Sequence, residues 1–153
     1  MMKMFSDNRG DDLLKTEIET YSRPQVTFGY AGIELFDNSY DFEDVRIDGK
    51  SVTDAIVRTG GWKVNNGTLT PDANRWNYIL MGDSTAHDYT FSMRVRRNKG
   101  SGQIQLRVRD NGKEGEANDH IAVSIAPGTC EFYRSAGAVK DTLRSPEPYS
   151  FES

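Results

Sequence analysis

The sequence has few residues of the kinds that build covalent or metal-dependent sites. It contains one cysteine, Cys130, and two histidines, His87 and His120, in 153 residues. A single cysteine excludes an intrachain disulfide and a cysteine-based zinc cluster. His120 follows Asp119, but no serine or cysteine lies in a nucleophile-elbow sequence, so we expect no hydrolytic triad. These residues predict neither a metal site nor a cofactor.

Long apolar runs are also missing. No stretch approaches the roughly 20 apolar residues of a membrane helix, so we expect no membrane partner. The N-terminal sequence MMKMFSDNRGDD contains no apolar signal segment, and the cellular compartment stays open. Helical periodicity is almost absent, and only MMKMFS is compatible with the end of a helix.

The pattern that is present has a period of two, which is typical of β-strands. The strand candidates are residues 14–20, 30–36, 40–48, 60–71, 75–82, 89–110, 120–126 and 130–135. The proline-containing tail RSPEPYSFES is expected to end without a closing strand. We predict an all-β fold, an antiparallel β-sandwich of jelly-roll type. Residues 1–22 form a lead-in segment, and residues 23–153 form the sandwich domain.

Two local patterns make sharper predictions. In a regular strand Phe42 and Val45 would face opposite sides. A β-bulge near Glu43 or Asp44 is therefore predicted, because one extra residue reverses the facing. Asn66-Gly67 predicts a type I′ hairpin turn, because both residues tolerate positive φ. That turn would set Val64 opposite Leu69, with Trp62 on the same inward face.

The most unusual stretch is YTFSMRVRRNKGSGQIQLRVRD, from Tyr89 to Asp110. It carries six Lys and Arg against one Asp, in a chain of net charge −4. We predict a hairpin in which Arg96 pairs with Gln103, because that register keeps like charges apart. Parity then places four polar side chains on one outward platform: Arg94, Arg96, Gln105 and Arg107.

Such a platform has two interpretations. Guanidinium and amide groups can hydrogen-bond sugar hydroxyls or pair with uronate carboxylates, and Trp76 can stack on a sugar ring. Alternatively, the arginines simply keep a sheet face soluble. Trp62 shares its facing with Val64 and Leu69 and is expected in the core.

Other ligands fit less well. DNGKEGEANDH gathers four acidic residues, but it lacks the spacing of an EF-hand loop, so a solvated turn is preferred over calcium. RVRRNKG would suit phosphates, but the chain is acidic and shows no RNA-recognition signature. We therefore expect no nucleic acid.

Several segments resemble one enzyme family. KMFSDNRGDDLL is similar to the segment of family 51 α-L-arabinofuranosidases where the catalytic barrel ends. GYAGIELFDNSYDFEDVRIDG, GGWKVNNGTL and DYTFSMRVRRNKGSGQIQLRVRD resemble strands of the concanavalin-like accessory sandwich that many bacterial members carry. Together these segments cover most of residues 3 to 110.

The resemblance implies a parent that releases arabinofuranose through two glutamates on a barrel. This chain has no such barrel, so no catalytic residue is carried over. Similar sandwiches continue with a WY-x-I-x-I strand, and its absence here suggests truncation or a shorter variant.

We expect a non-catalytic, carbohydrate-binding accessory portion of such a glycoside hydrolase. Its partner would be a plant cell-wall polysaccharide, arabinoxylan or arabinan, bound by Arg94, Arg96, Gln105, Arg107 and Trp76. The alternative is a structural sandwich that packs on the catalytic barrel and binds no glycan.

Overall fold

The computed structural model describes residues 26–36, 40–72, 76–97 and 102–149. These ranges form β-strands and one short 3-10 turn, Gly115–Ala117. The strands are β1 Tyr30–Leu35, β2 Tyr40–Ile47, β3 Lys50–Ser51, β4 Ile56–Thr59, β5 Trp62–Asn65, β6 Thr68–Pro71, β7 Asn77–Met81, β8 Phe91–Arg97, β9 Ile104–Asp110, β10 His120–Ala126, β11 Gly128–Ala136 and β12 Val139–Tyr149. Within the same ranges no helix is long and apolar enough to cross a lipid bilayer.

The strands form two antiparallel sheets that pack face to face. The larger sheet has the order β12-β11-β10-β9-β1-β7-β4, and the smaller has β3-β2-β6-β5, with β8 paired to β2. Both sheets contribute buried side chains to one core, namely Ile33, Leu35, Ile79, Met81 and Ile104 from the larger and Tyr40, Phe42, Val45 and Leu69 from the smaller. The predicted all-β sandwich is confirmed.

The predicted bulge in β2 is also confirmed. The pairing of β2 with β8 shifts register between Glu43 and Arg46, and Asp44 has φ of 55°. The extra residue reverses the alternation, so Phe42 and Val45 are both fully buried in the core.

The predicted Asn66-Gly67 turn joins β5 to β6. Both residues have positive φ, 42° and 84°, and Val64 lies opposite Leu69 as the turn requires. Trp62 packs on the core with its ring centroid 6.1 Å from that of Phe42.

The predicted hairpin of residues 89–110 is wrong in its pairing. β8 pairs with β2 in the smaller sheet, whereas β9 lies between β10 and β1 in the larger sheet. The predicted facing is right, since Met93 and Leu106 both pack against the core. Both strands are amphipathic, and their apolar faces meet across the sandwich instead of lying side by side. The register of Arg96 with Gln103 therefore does not form.

The tail is the second correction, because β12 extends to Tyr149 through two prolines. β12 is the edge strand of the larger sheet, where a residue without a peptide N–H need not break the ladder. The predicted strand at residues 14–20, the helix end at MMKMFS and the domain boundary at residue 22 lie outside the described residues.

The core makes the first testable prediction. Phe42 is fully buried, so Phe42→Ala should lower the free energy of unfolding by about 3–5 kcal/mol through lost transfer energy and a cavity. Val57 on β4 is 45% exposed, and Val57→Ala should change stability by less than about 0.5 kcal/mol. Urea unfolding measures both, and equal losses would contradict the assigned core.

Candidate ligand-binding site

A polar layer covers the outer face of the larger sheet. Glu34 on β1 lies opposite Tyr78 on β7 and Gln105 on β9, and Ala122 on β10 lies opposite Arg107. Because parity alternates along each strand, these side chains point away from the apolar core. Several of them are nevertheless buried, including Glu34 at 5% and Arg107 at 8% exposure.

A second bulge brings Asp110 onto this face. Arg109 has φ of 54°, and the pairing of β1 with β9 shifts register beside it. The extra residue places Asp110 on the same side as Arg107, with 3.4 Å between Asp110 Oδ2 and Arg107 Nη1. The backbone N–H of Arg109 donates to the Tyr89 hydroxyl over 2.8 Å, and that hydroxyl donates to the Tyr30 carbonyl.

Arg107 is the centre of the polar layer. Its Nε donates to Gln105 Oε1 over 3.3 Å, and its Nη1 donates to Asn118 Oδ1 over 2.9 Å and to Asp110. Its Nη2 donates to Gln105 over 2.9 Å and forms a short ion pair with Glu34 Oε2. A guanidinium has five N–H groups, so every donor of Arg107 has a protein acceptor.

Asp110 is fully buried and equally well satisfied. Its Oδ2 accepts from the Tyr78 hydroxyl over 2.6 Å, and its Oδ1 accepts from Asn118 Nδ2 and from the Gly112 N–H, each over 2.8 Å. Burial, and then the charge of Asp110, raise the pKa of Tyr78 above its usual value. Tyr78 therefore stays protonated and keeps donating to the carboxylate.

Glu34 links the network to the surface. Its Oε1 accepts a hydrogen bond from Trp76 Nε1 over 2.7 Å, while the Trp76 side chain is about half exposed. Burial raises the pKa of Glu34, and the charge of Arg107 opposes this rise. The hydrogen bond fixes the orientation of the indole ring next to the buried charges.

A cavity of about 240 Å³ lies over this network. Glu34, Trp76, Tyr78 and His120 line it, and residues 113–115 of the loop after β9 form part of its rim. The cavity therefore combines an aromatic face, a buried carboxylate and a buried imidazole. Convergent polar groups beside an aromatic surface make this cavity a candidate site for a small ligand.

His120 is the least satisfied member of the site. Its side chain is 5% exposed, and neither ring nitrogen has a hydrogen-bond partner within the described ranges. Burial lowers the pKa of His120 to about 4, and the positive charge of Arg107 adds to this effect. At neutral pH the imidazole is uncharged, with one N–H donor and one nitrogen acceptor.

The structure divides the five predicted site residues between two faces. Trp76, Gln105 and Arg107 come together in the larger sheet. Arg94 and Arg96 lie on the exposed outer face of the smaller sheet, where Arg96 Nη2 is 2.7 Å from Glu43 Oε1. One continuous platform of the four polar residues is therefore excluded, because β8 and β9 belong to different layers.

Sequence reasoning missed Glu34 and His120 as members of one site. The available signal was a carboxylate between Ile33 and Leu35 in an otherwise apolar strand. The acidic segment is also more than a solvated turn, since Asp110 and Asn118 are buried at its two ends. In the part of the chain that the structure describes, no three His, Cys, Asp or Glu side chains cluster as metal ligands.

Searches against protein-family models, curated proteins and solved structures found no match for the chain. The resemblance to family 51 arabinofuranosidases therefore stays an expectation from sequence.

Removing Arg107 should destabilise the fold strongly. Arg107→Met leaves Glu34 and Asp110 buried without their cation, and breaking such a pair typically costs about 3–5 kcal/mol. Arg96→Met removes an exposed ion pair with Glu43 and should cost less than about 1 kcal/mol. Urea unfolding at neutral pH tests both variants, and similar midpoints would refute the role given to Arg107.

His120 should make stability depend on pH. Its pKa is about 4 in the fold and about 6.5 in an unfolded chain, so the unfolded state binds more protons between these values. Stability should therefore fall on acidification through this window. Between pH 7 and 5 the wild type should lose about 2 kcal/mol more than His120→Gln. Urea titrations at both pH values measure the difference, and an equal loss in the two proteins would contradict this role of His120.

Proposed function

We propose that the chain binds a carbohydrate in the cavity over the larger sheet. In this proposal it is the non-catalytic accessory portion of an α-L-arabinofuranosidase-like glycoside hydrolase. One observation carries the binding function: the buried His120 has no described partner at either ring nitrogen, and it lines the same cavity as the half-exposed Trp76. Buried polar atoms normally have partners, and ligand hydroxyls would supply them here.

The chemistry of these two side chains suits a sugar. A neutral imidazole presents a donor and an acceptor, and a sugar hydroxyl can serve as either. The Trp76 ring offers an apolar face for stacking, and its bond to Glu34 holds that face in place. Since an ordered ring loses little freedom on binding, this arrangement lowers the entropic cost of capture.

Arg107 and Gln105 have an indirect role in this proposal. All donors of Arg107 are already committed to protein acceptors, and Gln105 is one of them. They hold Glu34 and the cavity floor in position, whereas His120, Trp76 and Glu34 contact the ligand.

The local charge favours a neutral glycan over a uronate. Glu34, Asp110 and Glu114 carry negative charge at the site, against the positive charges of Arg107 and Lys113. A bound uronate would add a further carboxylate beside these groups, and Arg107 has no free donor for it. Neutral arabinose-bearing chains of arabinan or arabinoxylan fit this balance, and the family resemblance favours them.

The same proposal assigns the sandwich to the jelly-roll, concanavalin-like type. The two antiparallel sheets and the position of the cavity on one outer face support this assignment.

The alternative is a structural sandwich that packs on a catalytic barrel. The exposed apolar side chains of Val139 and Leu143 on edge strand β12 favour it. Apolar groups on an edge strand would be covered by a neighbouring domain.

Trp76→Ala tests the binding function. Affinity for arabinan or arabinoxylan oligosaccharides should fall about tenfold or more, because the stacking surface is lost. The matched control is Arg94→Ala with Arg96→Ala, which removes two charges from the opposite face and should leave affinity unchanged. Calorimetry measures both.

A wild-type protein that binds no neutral glycan on a broad panel would refute the proposal and favour the structural alternative. Equal affinity for polygalacturonate and arabinan would refute the charge argument alone.

A further inference from the structure

The cavity over the larger sheet is elongated across the strands. Six neighbouring strands from β4 to β11 each contribute one residue to its lining, namely Thr59, Tyr78, Glu34, Arg107, His120 and Ser135. Neighbouring strands lie about 4.8 Å apart, so the five spacings from β4 to β11 amount to roughly 24 Å along the sheet. A volume of about 240 Å³ spread over this length makes the cavity long and shallow.

Trp76 lies near one end of the cavity. It directly precedes β7, and its side chain is about half exposed. Thr59 on β4 lies beside it, because Thr59 pairs with Tyr78. The 2.7 Å hydrogen bond from Trp76 Nε1 to Glu34 Oε1 holds the indole ring in place. This end of the cavity can therefore take the apolar face of one sugar ring.

His120 and Ser135 lie near the other end. They are directly opposite each other in the pairing of β10 with β11, and both line the cavity. The His120 ring packs edge-on against Tyr133, with 5.8 Å between the ring centroids, and this contact restricts its rotation. An imidazole and a hydroxyl together offer donors and acceptors, so this end can hydrogen-bond the hydroxyls of a second sugar unit.

A single sugar unit is too short to contact both ends. β7 and β10 are three strand spacings apart in the larger sheet, which is roughly 14 Å. With bonds of about 1.5 Å, one pentose unit covers only about 5 Å. A ligand that contacts Trp76 and His120 together therefore contains about three units.

The middle of the cavity allows such a chain to pass. Glu34 and Arg107 lie between the two ends and are only 5% and 8% exposed, so they form a floor beneath the ligand. They are paired with each other, and Glu34 also accepts from Trp76. A neutral unit can lie over these groups without displacing any of their hydrogen bonds.

We propose that the cavity binds a chain of about three neutral sugar units laid across the strands, with one unit on Trp76 and another at His120 and Ser135. This inference rests on the proposed function and adds the length and the orientation of the ligand. It also assigns Ser135 a direct contact with the chain.

Calorimetry with neutral oligosaccharides of one to six pentose units, prepared from arabinan and from xylan, tests the inference. Affinity should rise about tenfold or more between one and three units, because the second contact is made within the same complex at a high effective concentration. The rise should stop at about five units, because five units of about 5 Å cover the whole cavity.

Ser135→Ala tests the second contact. It should weaken binding of the three-unit ligand severalfold, because one hydrogen-bonding group is lost. Binding of a single unit should change much less, since that unit stacks on Trp76 at the other end. The matched control is Ser92→Ala, which makes the same replacement on β8 of the smaller sheet and should leave both affinities unchanged.

The outcomes separate this inference from the proposed function. Equal affinity for one unit and three units would overturn the inference alone, because a single unit would then occupy the whole site. An equal loss for both ligands in Ser135→Ala, or an affinity that still rises from five to six units, would also overturn it. Binding of no oligosaccharide in either series would refute the proposed function, and the inference with it.

Discussion

The candidate site depends on one buried cation. Moving a guanidinium out of water is costly unless carboxylates and hydrogen-bond acceptors surround it, and Arg107 has Glu34, Asp110, Gln105 and Asn118 as acceptors. This requirement reaches into the backbone, because Asp110 can face Arg107 only when a bulge takes up the extra residue at Arg109. Gly29 supports the same bulge, since a Cβ at that position would lie 2.4 Å from the Asp110 carbonyl oxygen. The β-bulge at Arg109 is therefore what allows the Asp110 carboxylate to offset the buried charge of Arg107.

In this arrangement, the residues that hold the site in place differ from those that would contact a ligand. The groups under the cavity are bonded to one another and have no freedom to follow a ligand, so they form a rigid polar floor. His120 and Trp76 lie at its margin. The ring nitrogens of His120 have no hydrogen-bond partner among the described residues, and the Trp76 side chain is about half exposed. In the proposed function such a site would select ligands by shape and hydroxyl placement, because Arg107 has no donor left for a charged ligand.

The facing of residues was predictable from sequence, but the pairing of strands was not. Alternation correctly placed Met93 and Leu106 inward, and two local signals correctly located the bulge at Asp44 and the turn at Asn66. Alternation says nothing about which sheet a strand joins, so two consecutive amphipathic strands were read as a hairpin. For the same reason the site could not be predicted from sequence. Glu34, Arg107 and His120 are distant in sequence and come together only because β1, β9 and β10 are neighbours in the larger sheet. An outward position on a strand does not imply contact with water, since Arg107 faces outward from the larger sheet and is only 8% exposed.

The chain passes from β8 in the smaller sheet to β9 in the larger sheet, so these consecutive strands do not form a hairpin. Neighbouring strands that form a hairpin can assemble locally, as β5 with β6 or β10 with β11 can. β8 instead pairs with the distant β2, and β9 pairs with the distant β1 as well as with β10, which follows it in sequence. Loop-closure entropy must be overcome before these distant contacts contribute, which slows folding. A chain in which only one of the two sheets has assembled leaves the inner apolar face of that sheet uncovered, because the core needs side chains from both sheets.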